Sequence, residues 1–274
     1  VATSLAWIFS DEHKLPTALL DLDVHFGTGA LTLDLEPGRG LTDAIDNPSR
    51  IDGLFIERAM IRANDNLAVL SAEAPISAPL MTDGAAFVQL EEEFRQAFEV
   101  TVIDLPRNML INFPQLLADV NIVTLVCEFT LASARDAIRI LSWLKTYAPH
   151  AQPLLVANKA KSGLAEISRA DFEASVERKV DFVLPEDAKA ATNAAKLGQA
   201  FVEANKFSKV TAQLRKVVEH IGSAGDEELV NEEESSKKSL LGSLDLKGLL
   251  TPSKKEKSRS EKKPKTKGAA KADA

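Results

Sequence analysis

A chain of 274 residues and 29.6 kDa, 45% of them hydrophobic, can bury one substantial core and still carry a tail. A net charge of −7 and a pI near 5.3 argue against a nucleic-acid coat, so no nucleic-acid partner is expected. One cysteine excludes an internal disulfide, and no apolar run approaches the roughly 20 residues of a membrane span.

Together with the lack of a visible signal peptide, these features suggest a cytoplasmic protein. In chain order, Val1 to Asp11 places Leu5, Ala6, Ile8 and Phe9 at helical spacing. The sequence opens on Val1 inside this helical pattern, which implies that residues precede it. Thr17 to Gly27 reads as a buried parallel strand delivering Asp21 and Asp23 to the C-terminal edge of a sheet, where open α/β sheets bind ligands. Period-2 alternation over Leu19 to Asp23 would point both carboxylates to one side. Two neighbouring carboxylates repel, and a divalent cation or a jointly oriented water keeps both ionised. Leu31 and Leu33 alternate towards the turn cluster Asp34 to Gly40, and short helices follow at Leu41 to Asp46 and Ile51 to Ala59.

Leu67 to Leu70 is a short strand, Thr82 to Ala97 a helix, and Val100 to Asp104 a second β-branched strand ending in aspartate. A helix ends at Leu116 to Asp119, and Ile122 to Cys127 is a strand whose thiol reads as buried and structural. Thr130 to Tyr147 has the clearest helical stripe, through Ala134, Ala137, Ile138, Leu141 and Leu144. Strands at Leu154 to Asn158 and Phe182 to Pro185 precede helices around Lys189 to Leu197 and Val210 to Ile221. Strands alternating with helices imply an α/β fold: a mostly parallel, doubly wound sheet flanked by helices. Its rim would collect Asp21, Asp23, Asp104, Asn158 and the Pro185 turn.

From residue 223 the composition changes. An acidic block from Asp226 to Glu234 and a basic block from Lys254 to Lys271 enclose a leucine-rich island, Leu240 to Leu250. Segregated charge of this kind points to a disordered tail, giving a folded domain at 1–222 and a charged, low-complexity tail at 223–274. The island and its lysines read either as a peripheral membrane element or as a linker with a short docking peptide. Gly242, Gly248 and Pro252 interrupt any helix there. His13, His25, His150 and His220 lack metal-ligand spacing, and Trp7 and Trp143 fall on core stripes.

Val102-Ile103-Asp104-Leu105-Pro106 has the shape of a Walker B element, while the phosphate loop G-x-x-x-x-G-K-[ST] occurs nowhere in the sequence. Asp21-Leu22-Asp23 resembles the second acidic motif of the MinD/ParA deviant-Walker ATPases, and Val1 to Trp7 looks like the helix after their phosphate loop. The run Leu19 to Gly27, with Leu33 to Ala44, Ile103 to Arg107 and Leu184 to Asp187, is most similar to the CpaE/TadZ pilus-assembly branch. The resemblance covers most of residues 1 to 221 and implies a P-loop NTPase fold that lacks here its first strand and phosphate loop.

It further implies ATP and Mg²⁺ as cofactors, with Asp23 orienting the attacking water, Asp21 supporting the metal shell and Asp104 as the Walker B carboxylate. Asn158 would contact adenine, and Pro185, Glu186 and Asp187 would form the loop closing over the base. The implied activity is weak ATP hydrolysis in a complete protein, with residues 1–274 alone inactive. The implied role is an ATP-dependent homodimer that positions a Flp/Tad-type pilus or secretion machine, at a pole or at the membrane. A non-hydrolysing scaffold of the same fold and a ParA-like DNA partition ATPase are the alternatives.

Overall fold

The computed structural model describes residues 1–161, 163 and 165–224. The acidic block, the leucine-rich island and the basic block all lie outside the described residues.

The central strand is β1 (Thr17–Asp21), each of whose five residues is buried. It pairs in parallel with β3 (Leu67–Leu70) on one side and β4 (Val100–Asp104) on the other. A two-residue strand, β2 (Ile61–Arg62), closes the far edge antiparallel to β3. The first sheet therefore has the order β2-β3-β1-β4, and β5 (Ile122–Cys127), β6 (Gln152–Ala160) and β7 (Phe182–Pro185) form a second, parallel sheet in chain order.

Alternation along β1 sends its side chains to two cores. Ala18 and Leu20 pack with α2 (Gly40–Asp46), α3 (Gly53–Ala59) and α4 (Ala85–Ala97), through Leu41, Ile56, Phe87, Leu90 and Phe94. Leu19 packs on the opposite face with α1 (Ala2–Trp7) and α10 (residues 209–224), through Leu5, Leu214 and Val217. Val156 of β6 and Leu184 of β7 join that same cluster, so one core under α1 and α10 spans both sheets. On the other face of the second sheet, α6 (Leu131–Tyr147) and α7 (Arg169–Val176) cover Cys127, Leu155 and Ala157. The doubly wound arrangement expected from the alternation of elements is present.

Between the two sheets the pairing is interrupted. Among the described residues β4 pairs only with β1, and β5 only with β6. Four residues of β4 and four of β5 are half-buried and Val126 is 43% exposed, whereas β1 is sealed on both faces.

Local chemistry explains several boundaries that differ from the sequence reading. β1 stops at Asp21, so strand alternation does not govern Asp23. The opening helix changes at Ile8 into a π-helical turn, Ile8–Glu12. Leu31 to Leu33 is a turn of 3₁₀ helix instead of an alternating segment. α3 begins two residues later than periodicity suggests because the Asp52 side chain accepts from the Phe55 amide at 2.7 Å. Thr130 and Ser168 cap α6 and α7 in the same way. Neither α7 nor β2 stands out in the sequence, being short and mixed in polarity. α5 (Arg107–Asn112), α8 (Ala188–Leu197) and α9 (Phe201–Ala204) complete the described α-helices.

Glu91 on α4 has a buried Oε1 with no hydrogen-bond partner among the described residues. Burial, followed by the charge of Asp119, pushes its carboxyl up to about 8, and Arg95 pulls the other way. The folded value lies above the ordinary 4.5, so stability falls as pH rises from 4.5 to about 8. Glu91→Gln should flatten that slope and raise the thermal midpoint more at about pH 8 than at about pH 5. Thermal scans across this range check it, and an unchanged slope refutes it.

Candidate functional site

The C-terminal ends of the strands carry the expected polar groups. Asp21 and Asp104 are partners in the β1–β4 register, and the Leu22 amide extends the ladder by donating to the Asp104 carbonyl at 3.0 Å. Asp104 is exposed at the strand end, close to Val1 at the start of α1.

Asp21 is only 2% exposed. Its Oδ1 accepts from the Asp23 amide at 3.1 Å and its Oδ2 from the Gly29 amide at 2.8 Å. Burial raises its pKa; the Gly29 and Asp23 amides lower it, and the charges of Asp104 and Asp23 raise it again. This carboxylate anchors the loop that leaves β1. The anchor also explains a glycine: a Cβ on Gly27 would lie 2.6 Å from Asp21 Oδ2 and 2.6 Å from the Asp23 carbonyl.

Asp23 stands at the mouth of the loop, partly exposed. Its Oδ1 accepts from the Phe26 amide at 3.1 Å, and its carbonyl accepts from the Gly27 amide. The two aspartates thus come together through backbone hydrogen bonds instead of strand alternation. His25 is partly exposed and donates from Nε2 to the Ala78 carbonyl at 2.7 Å, tying this loop to the segment after β3. A cavity of about 450 Å³ opens beside Asp23, lined in part by His25, Thr82, Asn108 and Asn112. None of the last three was legible beforehand, because each is an isolated polar residue, Thr82 before α4 and Asn108 and Asn112 on α5, and only the fold brings them to one cavity.

The second sheet brings together the other predicted group. β6 runs past Asn158 to Ala160, with a bulge against β7 and Lys159 in the left-handed region at φ 51°. Asn158 lies at this bulge, half-buried, and Ala160 pairs with Pro185. The Glu186 amide donates to the Ala160 carbonyl at 3.0 Å, and its carboxylate pairs with Lys161 at 3.2 Å. Asp187 caps α8 by accepting from the Ala190 amide at 3.0 Å. Lys159 reaches Glu128 at the end of β5 at 3.0 Å. Arg107, at the start of α5, forms an ion pair with Asp136 on α6, linking elements that follow the two unpaired edges.

As to a divalent cation, no group of three His, Cys, Asp or Glu among the described residues could hold one. Asp104 presents free carboxylate surface, and both Asp21 oxygens are engaged by backbone amides. A hard cation at this rim fits one protein carboxylate, directly or through water, with its remaining oxygens from phosphate and solvent.

Comparison of the sequence with protein-family models and with curated proteins finds no match. Solved structures do resemble the chain. A ParA-family ATPase from Chlorobium tepidum superposes with a TM-score of 0.72 at 16% identity, over 80% of this chain and 91% of that one. The fold is that of the MinD/ParA ATPases. Pyrococcus furiosus cell division ATPase MinD gives a TM-score of 0.67 at 20% identity, over 81% and 92% of the two chains. MinD of Pyrococcus horikoshii, solved with Mg-ADP, gives 0.62 at 14% identity, over 80% and 88%.

If Asp21 holds the loop as described, Asp21→Asn replaces an acceptor with an NH₂ group facing a backbone N–H and should cost about 1–3 kcal/mol. Amide exchange at Asp23 and Gly29 should quicken. Unchanged protection at both would refute the anchor.

Proposed function

We propose that this chain is the body of an ATP-dependent dimerising switch of the CpaE/TadZ type, which positions or assembles a pilus or secretion machine. The observation that carries this reading is the rim itself: Asp104 in register with Asp21, Asp23 at the mouth of the loop that Asp21 anchors, and Asn158 beside the Pro185 to Asp187 turn. These are the residues to which the MinD/ParA resemblance assigns the metal, water and base roles. The Mg-ADP held by a protein of this fold supports a nucleotide as the ligand.

In this reading Asp104 would hold Mg²⁺, and Asp23, whose Oδ1 is fixed by the Phe26 amide, would orient the attacking water. The magnesium supplies charge neutralisation at the phosphates. Asp21 acts one step back, keeping Asp23 in place. The Asn158 carboxamide reads the base edge, and the turn from Pro185 to Asp187 closes over it.

The interrupted sheet extends the proposal. The half-buried edges of β4 and β5 suit one more parallel strand, apolar on both faces because cores lie above and below. Such a strand would end at the rim beside Asp104, where α1 starts. We assign it to residues preceding Val1, together with the phosphate loop. Nucleotide binding would complete a homodimer, and slow hydrolysis would reset it. The stored free energy appears as a population shift between the two states.

Residues 1–274 by themselves should bind ATP poorly, because the backbone amides that cradle phosphates are absent from them and strand-end carboxylates repel an anion. Calorimetry showing micromolar, Mg²⁺-dependent affinity, on the order of −8 kcal/mol, would contradict this.

In a longer chain that supplies the loop, Asp23→Ala should leave ATP affinity within about threefold while lowering turnover by a factor on the order of 10² or more. Asp104→Ala should instead weaken Mg²⁺-nucleotide binding itself. Equal loss of binding in both variants would overturn the division of roles.

A further inference from the structure

We propose that the turn between α9 and α10 is a contact site for an anionic lipid surface, with Phe207 as its inserting side chain. Phe207 is fully exposed, at 101% of its reference area. Soluble proteins scatter apolar groups over their surfaces, but a wholly uncovered phenyl ring on an ordered turn is a different matter, because neighbours normally fold against it.

The turn is held firmly. Asn205 Nδ2 donates to the Ala190 and Phe201 carbonyls at 3.1 Å each, and the buried Thr211 hydroxyl donates to the Asn205 carbonyl at 2.7 Å. Arg215 Nη1 donates to the Lys206 carbonyl at 3.0 Å. These bonds fix the backbone on both sides of Phe207, so presenting the ring needs little further ordering.

Charge identifies the partner. Lys206 and Lys209 flank the ring and are exposed, and Lys189 is next to Ala190, which the turn touches. Lys216 lies two helical turns beyond Lys209 on the exposed stripe of α10, opposite the buried Val210, Leu214, Val217 and Val218. None of these four lysines forms an ion pair within 4.0 Å among the described residues. Acidic groups lie near them too: Asp187 stands two residues before Lys189, Glu203 senses the charge of Lys206, Glu219 shares the α10 stripe, and Glu12 is taken up by Arg215.

An exposed aromatic ring flanked by Lys206 and Lys209 suits the boundary between lipid headgroups and acyl chains. A protein partner of ordinary size needs a contiguous patch of about 800 Å². Here the turn meets α8 at Ala190, and the exposed residues of that helix include the small Ala188, Ala191 and Ala195. A fluid surface needs no matched relief.

The chain allows a direct test, since its one native thiol, Cys127, is buried and pushed up to about 11 by burial, with Glu128 adding to the shift. An environment-sensitive fluorophore placed at Phe207→Cys should shift to the blue with vesicles of roughly 30% anionic lipid at low salt, and not with neutral vesicles. The same label at Tyr147→Cys, on α6, should not respond, which separates local insertion from tethering by another part of the chain. Salt should abolish the shift, and K206E with K209E should lower the vesicle partition coefficient about tenfold or more. Phe207→Ser should also weaken partition. Vesicle binding without a shift at position 207, or equal shifts at both labels, would overturn the proposal. So would no binding at low salt, which would leave Phe207 to a protein partner.

Discussion

A strand buried on both faces and paired on both edges must end somewhere, and its last polar group must then be satisfied inside the protein. Asp21 meets that constraint. At the end of β1 its two oxygens take up the amides of Asp23 and Gly29, which fold the outgoing chain back over the strand end. From that single arrangement follow the close approach of Gly27, the placement of Asp23 at the rim, and the alignment of Asp21 with Asp104. A charge kept at 2% exposure is costly unless it is hydrogen-bonded, and the loop supplies the bonds. The rim is therefore organised from within before any ligand arrives.

The two halves of the rim are built differently. Around Asp21 a carboxylate draws in backbone amides; around Asn158 the backbone itself is displaced by a bulge and a left-handed lysine. Both devices lift side chains out of the strict strand alternation that would otherwise bury or expose them in turn. Arg107 with Asp136 and Lys159 with Glu128 then add charge pairs near the interruption between β4 and β5. These pairs are largely exposed, and their contribution is geometric more than energetic.

The core under α1 and α10 has a wider role than covering one sheet. Because Leu19 and Val69 from the first sheet meet Val156 and Leu184 from the second within it, the sheets share that core although their facing edges are unpaired. α10 is apolar on its core side and lysine-bearing on its outer stripe, so the helix that seals the sheets also begins at the Phe207 turn.

Composition and periodicity determined the α/β class and most of the succession of strands and helices. The apolar runs ending in Asp21, Asp104 and Asn158 and the stripe of α6 are local signals, set by side-chain hydrophobicity at spacings of two and 3.6 residues. The same signals named the rim residues, because a polar group closing an apolar strand is visible without knowing the partner strand. Tertiary structure decided what each of those residues touches. That Asp21 is an anchor, with Asp23 outside the strand, depends on an amide eight residues downstream. His25 finds its partner 53 residues away, and Thr82, Asn108 and Asn112 border the same cavity only after the sheet has formed. The split between β4 and β5 and the exposure of Phe207 belong to this second class as well. Pairing and burial are relations between distant segments, and no local pattern encodes them.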